Sequence, residues 1–210
     1  MKHALFLTAA AVAALSLAAC NKPATDTSKS EGAQTGNPGQ TEPVNGVQDK
    51  VGSVVGAVSA NTIGSHDTGA FVSNAGQGDM LEIEEAAMVL KRSKNAEVKA
   101  FAKMMASDHA ALSKAMAPLI AAAGKTPPTE LDQRRKGFVD NLRAAKDADF
   151  DKIYIDQQVD AHKEALDLMQ GYGKDGPDAG LKDAAGKAVA KVQMHLDKAR
   201  DIQAKLSASK

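Results

Sequence analysis

Between Asn95 and Gly124, apolar residues recur at three- and four-residue steps: Val98, Phe101, Ala102, Met105, Leu112, Met116, Leu119 and Ile120. That period specifies one face of a long helix. Lys99, Lys103, Ser107 and Lys114 take the opposite face, and His109, beside Asp108, stands in the middle of the apolar stripe. Asn95 is placed to cap the helix and Gly124 to close it, and Thr126-Pro127-Pro128 forbids its continuation. Such a stripe has to be buried against other helices, and an imidazole goes in with it.

Four further stretches carry helical spacing. The first runs from about Ala70 to Arg92, with Val72, Met80, Ile83, Ala87 and Leu90 on its stripe and Glu82 on the flank. After the Asn95–Gly124 stretch comes a connector from Thr129 to about Ala145, in which Thr129 and Asp132 are spaced as a capping box. The next stretch runs from about Asp149 to Tyr172 and carries Ile155, Val159, His162, Leu166 and Met169, with Gly171, Gly173 and Gly176-Pro177 marking its end. The last runs from Asp178 to about Leu206, with Ala185, Ala188, Val192, His195, Ala199 and Ile202.

Strand signals, a phosphate-cradling glycine loop and an internal repeat are all lacking. The expectation is an all-α four-helix bundle over residues 70–207. Its connector, a helix of about 17 residues and roughly 25 Å, is long enough to return the chain along the bundle. The helices on either side of it would then run parallel, as in the ferritin-like arrangement with one long crossover.

Composition excludes several roles. Lys+Arg and Asp+Glu balance at 26 each, aromatics are 3% and Trp is absent, so neither a basic field nor a stacking platform points to nucleic acid. The sole cysteine, Cys20, rules out an intrachain disulfide.

Residues 1–20 read as an address. Lys2 and His3 precede an apolar run from Ala4 to Ala19, too short for a membrane span, and Leu17-Ala18-Ala19-Cys20 resembles a bacterial lipobox. That resemblance implies lipidation at Cys20 and a membrane partner reached through the N-terminal lipid. Asn21 follows rather than Asp, which is similar to the sorting pattern of outer-membrane lipoproteins facing the periplasm. Residues 21–69, poor in large apolar groups until Val44, are expected to form a flexible tether. Val47, Val51, Val54, Val55 and Val58 allow a short helix near 47–60, on the domain or on the membrane surface, although Gly46, Gly52 and Gly56 weaken it.

Under the crossover topology, His109, His162, His195 and Glu82 lie about 21, 20, 17 and 15 Å from one end of the bundle. They form one layer. Counted from the other end, His162 and His195 disagree by about 10 Å, so the last helix would have to overhang. Three imidazoles and a carboxylate converging in a bundle suit one divalent transition metal such as Zn, Cu or Fe, with Asp79, Asp108 or Gln158 orienting the ligands. The bland alternative is a metal-free polar network, in which the same groups satisfy each other. A di-iron centre is disfavoured, because the residues three before the histidines are Ala106, Val159 and Val192 and no Glu-x-x-His pair exists. Met104, Met105, Met116 and Met194 would suit copper but are more simply core filler. No serine or cysteine nucleophile sits in a recognisable elbow, so catalytic residues are not assigned. If the histidines are buried neutral, stability should fall as pH drops through about 6.

Four pieces carry a family resemblance: GDMLEIEEAAMVLKRSKNAEVKAFAKMMASDH, TELD, FDKIYIDQQVDAHKEAL and VQMHLDKA. Together they resemble the bacterial domain-of-unknown-function family 4142, which is placed with ferritin-like proteins. The resemblance implies a four-helix ferritin-like bundle in a secreted or lipid-anchored envelope protein, and it supplies no activity. The first reading is therefore a non-enzymatic binding or stress-related envelope module with a structural or weakly metal-binding layer. The alternative is a mononuclear metalloprotein for sequestration or redox work.

Overall fold

A computed structural model describes residues 42–208. They form six helices: α1 (Glu42–Thr62), α2 (Thr68–Arg92), α3 (Ala96–Ala122), α4 (Gln133–Ala144), α5 (Asp147–Asp175) and α6 (Ala179–Ala208). The expected signal segment with Cys20, and the tether up to residue 41, lie outside the described residues.

Helix direction follows from the core. Ala86 and Val89 near the end of α2 share one apolar cluster with Val98 and Phe101 at the start of α3, Tyr154 and Ile155 near the start of α5, and Ala199 and Ile202 near the end of α6. Phe71 and Val72 at the start of α2 share the other with Met116 and Ile120 of α3, Leu168 and Tyr172 of α5, and Leu181 and Ala185 of α6. Thus α3 and α5 run parallel, and α2 and α6 run antiparallel to both. This is the one-crossover topology that the long connector predicts.

The connector itself differs from the expected helix. Asp132, not Thr129, caps α4, its Oδ1 accepting from the Arg135 amide at 2.8 Å. The helix has 12 residues and spans about 18 Å. The preceding segment takes up the remaining distance. Gln77 of α2 fastens it, donating to the Glu130 carbonyl (2.8 Å) and accepting from the Asp132 amide (2.7 Å). Leu131, Phe138 and Val139 then close over Leu81 in a small core.

Of the glycines expected to end the Asp149–Tyr172 stretch, Gly176 before Pro177 does so, as the C-cap, but Gly171 and Gly173 do not. α5 runs through Gly171 and Gly173 to Asp175. A Cβ at Gly173 would lie 3.0 Å from the Gly186 Cα, so these two glycines let α5 and α6 approach backbone to backbone. That approach offsets the roughly 1 kcal/mol a helical glycine costs. The added turn also resolves the overhang. His162 is now 13 residues from the end of α5, and His195 is 16 from the start of α6, a mismatch of about 4.5 Å.

The segment expected as a tether with at most a short helix is, over residues 42–62, a 21-residue helix seated on α5 and α4. Weak intrinsic propensity is overridden by tertiary contacts. Asp49 accepts from Asn141 Nδ2 (2.5 Å) and Gln157 Nε2 (2.8 Å), and Arg134 donates to the Gly52 carbonyl at 3.1 Å. Gly56 lies so close to Glu164 that any Cβ would overlap its carboxylate, which Arg134 (2.8 Å) and Arg135 (2.9 Å) hold in place.

Candidate metal centre

The polar layer lies between the two apolar clusters. α2 brings Asp79, Glu82 and Glu85, α3 brings Asp108 and His109, α5 brings Gln158 and His162, and α6 brings His195. All three histidines are buried, as is Glu82. The ring centroids stand 5.9 Å apart for His109 and His162, 5.8 Å for His109 and His195, and 5.4 Å for His162 and His195. One nitrogen from each ring lies within 4.8 Å of the others.

Each imidazole is held from behind. His109 Nδ1 donates to Asp79 Oδ1 at 2.8 Å, and Asp79 Oδ2 accepts from Ser113 Oγ at 2.6 Å. His162 Nδ1 donates to the Gln158 carbonyl at 2.8 Å. His195 Nε2 donates to Asp108 Oδ2 at 2.9 Å, and Lys191 donates to the same oxygen at 3.1 Å. These bonds fix the tautomers of His162 and His195, whose Nε2 and Nδ1 are left as lone-pair nitrogens, and they leave His109 Nε2 as the ring nitrogen that must lose its proton before it can bind an ion. All three are buried without a hydrogen-bond partner, and so is Glu82 Oε2. Glu82 reaches two of the rings, with Oε2 at 3.5 Å from His109 Nε2 and Oε1 at 3.4 Å from His162 Nδ1.

Burial and mutual charge set the protonation pattern. Burial pushes Glu82 up to about 7, against the pull of His109. Burial would lower His109, but the Glu82 charge and the hydrogen bond to Asp79 outweigh it and push it up to about 9. Burial, reinforced by the His109 charge, takes His162 down to about 3. Burial also lowers His195, against the Asp108 hydrogen bond. Without an ion, the layer carries a proton on His109 and neutral imidazoles on the other two helices.

Donor chemistry fits a divalent transition metal. Neutral nitrogen ligands with one carboxylate match borderline ions. Nitrogens sharing one ion at about 2.0–2.1 Å sit roughly 3.3 Å apart, so the rings would have to draw in by about 1 Å. The long groove between α3 and α6, about 310 Å³, is lined by His109 and His195 and by Leu112, Met116 and Ala188. On the other side, a cavity of about 50 Å³ touches Asp79, Glu82 and His109.

The structure brings Glu82, His109, His162 and His195 together. Asp79 and Asp108 support the rings, whereas Gln158 does so through its backbone carbonyl. The Gln158 side chain instead donates to Glu85 Oε2 at 2.9 Å. Glu85 is a site residue the sequence reading passed over. It is fully buried, and its carboxyl is raised well above the usual range by burial and then by the Glu82 charge. Tyr154, whose buried hydroxyl has no partner, is raised by burial and by the same two carboxylates. The missed signal was the three-residue spacing of Glu82 and Glu85, which puts both on one helix face. Met105 and Met116 lie in the apolar clusters and Met194 is exposed.

A family described as Domain of unknown function (DUF4142) matches residues 54–202. The chain belongs to the DUF4142 family. The matched span begins inside α1 and ends in α6, so this DUF4142 domain contains the whole polar layer and the last part of α1, with Gly56 and Ala60. No curated protein and no solved structure matches the chain.

Proposed function

We propose that this DUF4142 protein is a cell-envelope metal-binding module. One divalent transition ion would be held by His109, His162 and His195 with Glu82, and the role would be binding or sequestration. The observation that carries the reading is three imidazoles on three different helices that come within 4.8 Å of one another, each with one buried ring nitrogen that has no hydrogen-bond partner. Each ring's other nitrogen is fastened by Asp79, Asp108 or the Gln158 carbonyl. Ligand histidines are oriented in this way, and an apolar core has no use for three unsatisfied ring nitrogens. The envelope placement rests on the lipobox-like sequence ending at Cys20.

A second reading has its own support. The His109 imidazolium between Asp79 and Glu82 is a charge pair that needs no metal. The layer would then be a structural clasp.

Metal content of tag-free protein, measured by mass spectrometry after exposure to Zn, Cu or Fe salts, separates the two. The metal reading expects about one ion per chain, lost in His109→Ala and His162→Ala, and affinity lowered about 10- to 100-fold in Asp108→Asn. Wild-type protein that stays metal-free, with both alanine variants destabilised, would refute it in favour of the clasp.

A further inference from the structure

α1 has two unlike faces. Asp49, Gly52, Gly56 and Ala60 face the domain. On the opposite side Val47, Val51, Val54, Val55 and Val58 are 62, 59, 65, 56 and 59% exposed, and Ile63 just beyond the helix is 60% exposed. At about 100° per residue the five valines fall within roughly 100° of arc. They form one stripe, flanked by the exposed Lys50. Leu90 and Met194, the other exposed large apolar residues among those described, stand singly on other helices. A contiguous apolar patch on the order of a few hundred Å² marks an interaction surface.

We propose that this stripe rests on the surface of the bilayer to which Cys20 tethers the chain, so that α1 is clamped between the domain and the lipid. Among the described residues no helix is long and apolar enough to cross a membrane, so α1 lies on the surface rather than spanning it. The 21 residues from Asn21 to Thr41 reach at most about 70 Å, which keeps α1 close to an anchor at Cys20. At that effective concentration a short stripe of valines suffices to dock. A second copy of the chain fits less well. The stripe contains no aromatic or arginine anchor of the kind that carries most of the energy of a protein–protein interface. Because α1 packs on α5 and α4, docking through it turns the α3–α6 groove, with His109 and His195, away from the bilayer.

The test uses the full chain made in a bacterial host and reconstituted into vesicles of phosphatidylethanolamine and phosphatidylglycerol. An environment-sensitive fluorophore is placed at Val54→Cys or, as control, at Lys187→Cys on α6. A parallel set carries Cys20→Ser. The label at position 54 should shift to the blue and be quenched by spin-labelled lipid, while the label at position 187 stays in water. Replacing Val51, Val55 and Val58 by Ser should weaken the partitioning of the Cys20→Ser chain by on the order of tenfold per valine, with an unchanged melting curve. A lipidated chain whose position 54 stays in water overturns the docking and leaves the anchor standing. Lipid contact at position 54 without lipidation supports the docking and removes the anchor. No vesicle binding by either chain, or a label buried before vesicles are added together with a doubled mass, overturns the proposal.

Discussion

Replacing His162 by Leu distinguishes an ion site from a clasp by the sign of its effect on the metal-free protein. His162 is 1% exposed and packs edge-on to Phe101 at 6.3 Å. Its Nδ1 bond to the Gln158 carbonyl contributes about 1 kcal/mol, and its unpartnered Nε2 costs about 1–3 kcal/mol. An apolar side chain of similar volume should therefore be neutral or stabilising, by up to about 2 kcal/mol near neutral pH. The contrast is His109→Leu. That change strands the buried Asp79 and Glu82 carboxylates and should cost about 3–5 kcal/mol.

The pH dependence adds a second readout. His162 is depressed to about 3 from 6.5, so the unfolded chain binds more protons through that window. The stability this represents is fully present above about pH 6.5 and is lost as pH falls toward 3, at about 1.4 kcal/mol per unit. His162→Leu should thus gain about 2 kcal/mol more over wild type at about pH 5 than at neutral pH. Urea unfolding of chelator-treated proteins measures both quantities. A loss above about 2 kcal/mol at neutral pH, or a difference that does not change with pH, would refute the account. A melt of the wild type alone cannot isolate the histidines, contrary to the simple expectation from sequence. Glu82, raised to about 7, takes up a proton in the native state over part of the same window and opposes the trend.

Two other perturbations test the surroundings. Glu85→Gln keeps an acceptor for Gln158 but removes the titration. Because the folded carboxyl is raised, its stability is present below about 4.5 and lost as pH rises, so the variant's advantage over wild type should widen toward alkaline pH. Parallel stability–pH curves would count against burial of the acid. Gly56→Ala should push α1 off the ion-paired Glu164 at a cost of about 1–3 kcal/mol. Hydrogen exchange should accelerate through residues 42–62 and not in α2 to α6, and unchanged protection there would show that α1 is seated otherwise.

The bundle was legible because its stripes are long and its turns are well punctuated. Asn95 caps α3, accepting from the Glu97 and Val98 amides, and Gly124 adopts a φ of 65° just past its end. Depth counting along helices brought the four layer residues together because 1.5 Å per residue is a stiff ruler. What failed was local chemistry that depends on neighbours. Gly171 and Gly173 read as stops in isolation, whereas Gly173 makes room for Gly186 on a helix that sequence alone cannot align. Thr129 had the right spacing for a cap, but Gln77, more than fifty residues away, holds that segment in a non-helical conformation. α1 looked too weak to form because its partners, Asn141, Gln157 and Arg134, lie more than eighty positions further along the chain. The spacing of Glu85 from Glu82 puts it on the same helix face, but nothing in that helix shows that Gln158 of α5 is its partner.

Two of the supports in the polar layer cross between helical hairpins. Asp108, on the α2–α3 hairpin, orients His195 of the α5–α6 hairpin, and Gln158 of the second hairpin holds Glu85 of the first. His109 and His162 are backed from within their own hairpins, but His195 and Glu85 are backed from the other, and the four candidate ligands are divided two and two, so neither hairpin holds the set alone. An ion there would act as a non-covalent splice in a chain whose single cysteine cannot form a covalent one within it. Occupancy would then report whether the halves are assembled. A protein cut in the exposed segment around Lys125 would still hold, or fail to hold, its ion according to whether its two hairpins had found each other.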